Sequence, residues 1–442
     1  MRLATFSRGI HPNDNKAFTN TKAIEVLPLP DEVFIPLQQH IGVSGEAVVE
    51  KGQEVKTGQV IGRSEKYVSS PVHATVTGKV KAIDSFLHPL GMKIAMINIE
   101  RSGEDQWELL PAIKDWQTAP IDQLLKVIWD AGIVGLGGAA FPTHVKLAPP
   151  KEKKIDTFIL NGVECEPFLT ADHRAMLENG DRILTGMSII MKVLGTDKGY
   201  IGIENNKPDA VAAMGKMIND KKFPYEVIPL KVKYPQGAEK MLIEAILHRK
   251  VPAGGLPMDV GTVVNNVGTA MAVADAVTRG RPLVERILTV TGDGVKEPKN
   301  LLVRIGTPFK KAIEFCGGLH EETTEVYMGG PMMGFAQYDL SVPVIKATSG
   351  IVCSQKSPVF GLRTYPCIQC GNCVTACPMN LLPTRLASFA EKAKWEDADQ
   401  IGVLNCIECG SCAYVCPSHI PLVQWIRVGK LKVSDMKRKK VA

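Results

Sequence analysis

The spacing of hydrophobic and polar positions changes several times along the chain, and each change predicts a different kind of structure. Between about Ile41 and Val80, short apolar stretches are separated by glycines, which predicts a small all-β module. The segment IDQLLKVIWDAG, which begins at Ile121, has helical spacing, and strand and helix patterns then alternate to about Arg281. This alternation predicts an α/β domain in the middle of the chain.

The pattern changes again after Arg281. The segments RILTVTG and NLLVRIG read as two strands, and the Asp293-Gly294 pair between them is a strong hairpin signal. A helix is predicted from Thr307-Pro308 to Gly317, and VYMGG supplies another strand. The order strand, strand, helix, strand predicts a β-grasp unit.

Composition and charge narrow the functional classes. A chain of 442 residues with 45% hydrophobic residues can form several domains with cores of their own. The net charge of +6 is modest, and no basic stretch with interleaved aromatic residues indicates a nucleic-acid partner. The first residues lack the apolar region of a secretory signal, and no window reaches the ~18 apolar residues of a membrane-spanning helix. We therefore expect a cytoplasmic chain without a direct membrane span, which would meet a membrane only through partners.

Cysteines give the most specific signal. Eight of the eleven cysteines form two copies of C-x₂-C-x₂-C-x₃-C-P, which begin at Cys367 and Cys406. In this motif three cysteines ligate one [4Fe–4S] cluster and the fourth ligates the other, which favours two clusters over a structural zinc site. The first cluster is predicted on Cys367, Cys370, Cys373 and Cys416, and the second on Cys406, Cys409, Cys412 and Cys377.

The segment LLPTRLASFAEKAKWEDADQIGVLN, which lies between the two motifs, is rich in helix formers. They favour a helical ferredoxin domain, and two such clusters conduct electrons one at a time. The three isolated cysteines are expected to be buried apolar residues: Cys165, Cys316 and Cys353.

A glycine-rich loop lies between Gly135 and Phe141. Gly135, Gly137 and Ala140 fit the dinucleotide-binding pattern G-x-G-x-x-A, but here a helix precedes the loop, whereas that pattern follows a strand. The loop could be a tight structural turn, or its backbone N–H groups could bind phosphate. Polar residues in ILNGVECEP and TVVNNVGT, further along the chain, favour a binding site.

These motifs, in this order, resemble the flavoprotein subunit of respiratory complex I, which binds FMN and NADH. The resemblance covers about residues 130–335. The positions that match its motifs are Gly135, Gly137, Gly138, Phe141 and Lys146; Asn161, Glu164, Glu166 and Pro167; Tyr234, Gly237 and Glu239; and Asn265, Asn266 and Thr269. Four positions depart from the pattern: Leu136 replaces an arginine, Ala140 a glycine, and Ala238 and Gly268 each replace a glutamate.

The β module resembles the biotinyl/lipoyl type of barrel-sandwich hybrid domain. Lys66 is its one candidate for modification, but the sequence around it lacks the usual setting, so a structural use is favoured. This module, the flavoprotein-like region and the two-cluster region together resemble the RnfC family of Rnf electron-transport complexes over nearly the full length.

The combined pattern predicts a multidomain α/β protein. Its predicted domains are residues 1–115 with the barrel-sandwich hybrid module, 116–281 as an FMN- and NADH-binding α/β domain, 282–348 as a β-grasp (SLBB-like) domain, and 349–442 as a helical ferredoxin domain.

The Rnf resemblance implies a peripheral protein on the cytoplasmic side of the cell membrane, with membrane and ferredoxin-like subunits as partners. It also implies that NADH passes hydride to FMN, which returns electrons singly to the clusters. Gly137 and Gly138 would then lie near the flavin phosphate, the Asn265-Asn266 pair near the flavin, and Phe141 would stack on a ring. Glu164 and Glu166 would point toward the nicotinamide ribose.

Two alternatives remain open from the sequence. The chain could be a non-catalytic iron–sulfur relay whose α/β domain is a scaffold, which the four departures from the flavin-site pattern would favour. It could also be the flavin and iron–sulfur subunit of a soluble NADH-oxidising complex.

Overall fold

Strands and helices alternate along the chain in the computed structural model, which describes residues 3–355 and 363–441. The strands are β1 (Ile24–Val26), β2 (Glu32–Pro36), β3 (Glu46–Ala47), β4 (Glu54–Val55), β5 (Val60–Arg63), β6 (Val72–His73), β7 (Gly78–Leu87), β8 (Lys93–Arg101), β9 (Thr157–Asn161), β10 (Gly199–Glu204), β11 (Tyr225–Leu230), β12 (Thr262–Asn266), β13 (Glu285–Thr291), β14 (Lys299–Arg304), β15 (Glu325–Met328), β16 (Phe335–Ala336) and β17 (Gly350–Ser354). The α-helices are α1 (Ile121–Asp130), α2 (Thr143–Lys146), α3 (Ala171–Leu194), α4 (Pro208–Lys221), α5 (Glu239–Leu247), α6 (Val267–Arg279), α7 (Phe309–Phe315), α8 (Asn372–Ala376), α9 (Pro383–Glu391), α10 (Trp395–Gln400), α11 (Ser411–Tyr414) and α12 (Leu422–Val441).

Two small antiparallel sheets form the predicted β module. One has the strand order β2-β8-β7-β4 and the other the order β3-β5-β6. Buried and more exposed residues alternate in β2 and at the start of β7. Val33, Ile61 and Ile97 are fully buried in a core that the two sheets share. Lys66 is exposed after β5, and the next residue, Tyr67, packs edge-on against Trp129 of α1 at 5.9 Å between ring centroids.

The central domain has a parallel sheet with the order β11-β10-β9-β12. Helices cover both faces, as the buried apolar strands require. Phe158 and Leu160 of β9 pack in the core that contains α1, α3, α4 and α6, whereas Ile159 between them packs in a second core with α5. The expected α/β architecture is confirmed, and the carboxyl ends of β9 and β12 lie side by side.

The β-grasp region forms a sheet with the order β1-β14-β13-β17-β15-β16. The hairpin β13–β14 is antiparallel, as predicted, and α7 packs on the sheet. The sheet also takes strands from outside the predicted range 282–348, and this range therefore needs correction. Strand β17, with Ile351 and Val352 buried, lies between β13 and β15, and β1 from the N-terminal region pairs in parallel with β14.

The N-terminal segment extends along the α/β domain before it reaches the β module. Ala4 forms a bridge to Leu230, and Ile10 exchanges backbone hydrogen bonds with Tyr234. The Lys16 ammonium donates hydrogen bonds to the backbone carbonyls of Glu166 and Leu169 at 2.9 and 2.6 Å. These hydrogen bonds therefore hold the loop between β9 and α3 in position.

The cysteine-rich region is helical, as predicted. Leu386, Ala398 and Ile426 bring α9, α10 and α12 into one core. Gly371 and Gly410 occupy matching positions in the two cysteine motifs, both have a φ of 77°, and each precedes a short helix. A positive φ of this size favours glycine, so the repeated motif is also a repeated backbone conformation. Among the described residues, none of the helices is both long and apolar enough to cross a membrane.

The isolated cysteines differ in their surroundings. Cys316 and Cys353 are fully buried in the core of the β-grasp sheet, as expected. Cys165 is only partly buried, and its sulfur accepts a hydrogen bond from the N–H of Gly237 at 3.3 Å.

Candidate functional site

The carboxyl ends of two adjacent parallel strands carry the asparagines of the predicted flavin site. β9 ends at Asn161 and β12 at Asn266, and these two residues are paired in the sheet register, as are Leu160 and Asn265. Ligands of open α/β sheets bind at this edge, outside the carboxyl ends of the strands. The fold therefore brings two predicted motifs together although they are about a hundred residues apart in the chain.

The glycine-rich loop lies against the same edge. The Gly135 N–H bonds the carbonyl of Phe141 at 2.9 Å, which closes the loop, and the N–H of Leu136 donates to Oγ1 of Thr269 in α6 at 2.9 Å. Gly137 and Gly138 are exposed, and Phe141 is half-buried. A side chain at Gly137 would meet Nδ2 of Asn266 at 2.7 Å, whereas the space at Gly138 is open to 4 Å.

Two of the four departures from the complex I flavoprotein pattern, Leu136 and Ala140, lie in this loop. Ala140 has a φ of 52°, in the left-handed region where a Cβ atom is unfavourable, and this explains why relatives of the complex I type use glycine there. Leu136 is buried, and its carbonyl lies 3.4 Å from a guanidinium nitrogen of Arg286 on β13. No motif pointed to Arg286, which is a buried arginine in an apolar strand.

Asn265 and Asn266 have different roles. The Asn266 side chain caps α6 by accepting the N–H of Gly268 at 2.8 Å, and its Nδ2 donates to Asp172 at 2.7 Å. Asn265 is 6% exposed, and within the described residues its Nδ2 has no hydrogen-bond partner. A buried amide without a partner is unfavourable, so this atom fits a site that a polar ligand completes.

The other predicted cofactor-binding residues form contacts with one another. Lys146 of α2 makes a 2.5 Å ion pair with Glu239, the first residue of α5. The Asn161 amide donates to the Gly237 carbonyl at 2.8 Å. Ala238, where relatives of the complex I type have a glutamate, is the residue just before α5. These contacts place the third motif beside the first two.

The carboxylate of Glu164 is bound to protein backbone. Its two oxygens accept the N–H groups of Asp172 and His173 at 2.7 and 3.2 Å, in the first turn of α3. Burial, followed by the charge of Glu164, raises the pKa of Asp172 to about 7. Glu164 therefore accepts hydrogen bonds from N–H groups at the N-terminus of α3 that have no partner within the helix. The spacing of the motif alone does not reveal this contact.

Glu166 and Tyr234 lie where the α/β domain meets two other parts of the chain. One is the loop between β15 and β16 of the β-grasp region, and the other is the ferredoxin domain. Glu166 accepts the N–H groups of Met332 and Met333 at 3.2 and 3.0 Å. Burial raises the pKa of Glu166 to about 7. The hydroxyl of Tyr234 lies 3.3 Å from Glu166 and donates to the carbonyl of Cys409 at 2.9 Å.

The eight motif cysteines are divided between two cavities in the way that crossed ligation requires. One cavity is lined by Cys367, Cys370, Cys373 and Cys416. The other is lined by Cys377, Cys406, Cys409 and Cys412. Each cavity therefore has three cysteines of one motif and the fourth cysteine of the other, a donor set that fits a [4Fe–4S] cluster.

Comparison with family models gives a match for each predicted domain. Residues 4–104 match the RnfC barrel sandwich hybrid domain, and residues 128–275 match the Nuo51 FMN-binding domain. Residues 287–336 match the SLBB domain, and residues 366–420 match the 4Fe-4S dicluster domain. The predicted fold class is confirmed, as are the domain types for FMN and for two clusters.

Relatives that are named as C subunits match nearly the whole chain. The C subunit of the proton-translocating ferredoxin:NAD(+) oxidoreductase complex of Clostridium ljungdahlii is 52% identical over 96% of this chain and 93% of its own length. The C subunit of the Na(+)-translocating complex of Acetobacterium woodii is 45% identical, with 99% of both chains covered. The C subunit of the ion-translocating oxidoreductase complex of Rhodobacter capsulatus is 40% identical over 98% of this chain and 84% of its own.

A solved structure of an NAD⁺-reducing [NiFe]-hydrogenase in the air-oxidised state shares the fold. It has a TM-score of 0.50 and 20% identity, and the match covers 64% of this chain and 56% of that one. The sequence resemblance is thus confirmed by relatives of high identity over the full length: the chain belongs to the RnfC family, the C subunits of Rnf-type ion-translocating ferredoxin:NAD(+) oxidoreductase complexes.

Proposed function

We propose that the chain is the NAD-side electron-transfer subunit of an Rnf-type complex, at the cytoplasmic side of the cell membrane. It would exchange electrons between NAD(H) and partner subunits through FMN and two [4Fe–4S] clusters. The names of its relatives as subunits of ferredoxin:NAD(+) oxidoreductase complexes support this assignment. Those names also favour a membrane complex over a soluble NADH-oxidising one.

The buried amide of Asn265, which has no hydrogen-bond partner in the part of the chain that the structure describes, is the observation that carries the proposal. It lies at the carboxyl edge of the parallel sheet, next to a glycine loop with exposed backbone. A site evolved only as a scaffold would be expected to satisfy this amide within the protein. Asn265 would donate a hydrogen bond to the flavin.

The residues around Asn265 offer a binding role for each part of FMN. The N–H groups of Gly137 and Gly138 would receive the phosphate, with the Lys146 ammonium close to it. Thr269 would hold the loop in position through its bond to the Leu136 N–H. Bound FMN would supply the exchange between the two electrons of a hydride and the single electrons that each cluster accepts. Phe141 is the candidate to stack on a ring.

A second candidate function is a relay without its own NADH site, and two contacts favour it. The resemblance assigns Glu164 and Glu166 to the nicotinamide side. In the structure, the carboxylate oxygens of both residues accept hydrogen bonds from backbone N–H groups of this chain. In this alternative the chain would carry clusters, and FMN as a structural group at most, and it would take electrons only from proteins.

A direct test is to purify the chain under anaerobic conditions, to reconstitute it with iron, sulfide and FMN, and to measure NADH-dependent reduction of ferricyanide. We expect one FMN per chain and NADH-dependent turnover. Replacement of Asn265 by leucine should lower the FMN content, whereas Asn219→Leu, at an exposed position on α4, should not. A chain with intact clusters, no bound FMN and no NADH oxidation would support the relay instead.

A further inference from the structure

Tyr234 links the α/β domain to the ferredoxin domain. It belongs to the predicted flavin motif, yet its hydroxyl is directed at the ferredoxin domain, 2.9 Å from the carbonyl oxygen of Cys409. A tyrosine hydroxyl has one proton to donate. The distance to Glu166 is longer, at 3.3 Å, and that carboxylate already accepts two backbone N–H groups. The hydroxyl proton is therefore assigned to Cys409.

The position of this hydroxyl is fixed by its surroundings. Tyr234 is 1% exposed and packs with Ile10, Ala376 and Cys409. Its backbone N–H and carbonyl are both bonded to Ile10 at 2.9 Å. A ring held on all sides in this way keeps its hydroxyl in one place, so the hydrogen bond to Cys409 is a constant feature of the interface.

The two cysteine cavities differ in their exposure. Cys367 and Cys370 of the first motif are exposed, whereas Cys409 and Cys412 of the second motif are buried. The segment before the second motif also contacts the α/β domain, because Asn405, which precedes Cys406, accepts the N–H of Gly254 at 2.9 Å. We call the cavity with Cys406, Cys409 and Cys412 the second-motif cavity, and the one with Cys367, Cys370 and Cys373 the first-motif cavity. The second-motif cavity thus faces the α/β domain, and the first-motif cavity opens toward solvent.

We propose that Tyr234 is a positioning residue that raises the reduction potential of the second-motif cluster and, on the proposed function, makes this cluster the first acceptor of electrons from the flavin site. The positive end of the O–H dipole points at a residue that ligates the cluster. A reduced cluster carries one more negative charge, so this dipole stabilises the reduced form. Hydrogen bonds around a cluster are an established means of setting its potential.

The test is the conservative variant Tyr234→Phe, which removes only the hydroxyl. The reconstituted wild-type and variant chains would be titrated with dithionite, and the midpoint potential of each cluster would be followed by EPR. The variants Cys370→Ala and Cys406→Ala assign the two signals to the first and second motifs. Tyr225→Phe is the matched control, since the Tyr225 hydroxyl bonds Ser188 at 2.7 Å in the same domain.

We expect Tyr234→Phe to lower the potential of the second-motif cluster and to leave that of the first unchanged. The loss of one hydrogen bond should shift the one-electron equilibrium by roughly two- to tenfold, where tenfold corresponds to about 59 mV. Tyr225→Phe should shift neither cluster. Unchanged potentials in Tyr234→Phe, or a shift confined to the first-motif cluster, would overturn the proposal. Dithionite reduces the clusters without NADH or FMN, so this result is independent of whether the proposed function holds.

Discussion

Gly137→Ala tests the proposed flavin loop at its most constrained position. The added Cβ would lie 2.7 Å from Nδ2, and 2.8 Å from both Cβ and Cγ, of Asn266, closer than side chains approach without a shift. Asn266 has little freedom to move, because its oxygen caps α6 and its nitrogen donates to Asp172. The substitution must therefore displace either the loop or the cap.

The size of the effect follows from those two contacts. Loss of an asparagine N-cap costs about 1 kcal/mol. Loss of a hydrogen bond to a carboxylate costs about 1.5 to 3 kcal/mol, and the lower end applies here because the raised pKa of Asp172 leaves it partly neutral near pH 7. A total of about 2.5 kcal/mol corresponds to FMN binding weakened by roughly 70-fold.

Quenching of flavin fluorescence on titration of the flavin-free chain measures this affinity. Gly215→Ala is the matched control, since a side chain at Gly215 in α4 would meet nothing within 4 Å. Thermal unfolding of the same samples shows whether the variant is folded at the assay temperature. A folded Gly137→Ala chain that binds FMN with wild-type affinity would refute the assignment of this loop to the flavin.

Three further predictions address ligation, the loop anchor and pH. Cys377→Ala should remove the EPR signal of the second-motif cluster, although Cys377 lies in the first motif, and loss confined to the other signal would contradict crossed ligation. Thr269→Val leaves the Leu136 N–H without its acceptor and should weaken FMN binding by about tenfold, whereas Thr278→Val, at an internal bond of the same helix, should not change the flavin titration. Burial lowers the pKa of His73 to about 3, so the unfolded chain binds this proton more readily below pH 6.5, and stability falls with decreasing pH. In urea unfolding, His73→Leu should therefore lose about 1.2 kcal/mol less unfolding free energy than the wild type between pH 6 and pH 5. The same pH dependence in both chains would count against a buried neutral imidazole.

Features with a local signature were predicted from the sequence. The cysteine spacing predicts which four residues share each cavity, because a short motif determines its own geometry. The helix before the glycine loop and the hairpin at Asp293-Gly294 follow from periodicity and turn chemistry. The order of the domains follows from the changes in pattern along the chain.

Features that depend on distant segments were not predicted. Strand β1 joins a sheet that is otherwise built from residues 285–354, and nothing in the three residues Ile24–Val26 signals that partner. At short range, too, the motif match assigns Glu164 to the nicotinamide side without revealing that its carboxylate accepts N–H groups in the first turn of α3. The contact from Tyr234 to Cys409 joins residues 175 apart in the chain, which no periodicity can reveal.

On the proposed function, one chain takes electrons from NADH and delivers them to its own clusters. The most direct test of this function is anaerobic addition of NADH to the isolated chain loaded with FMN and clusters, followed by rapid freezing and EPR. We expect NADH alone to produce the signals of the reduced clusters, with the second-motif signal first. Clusters that dithionite reduces but NADH leaves oxidised, in a chain with full FMN content, would contradict the proposed function.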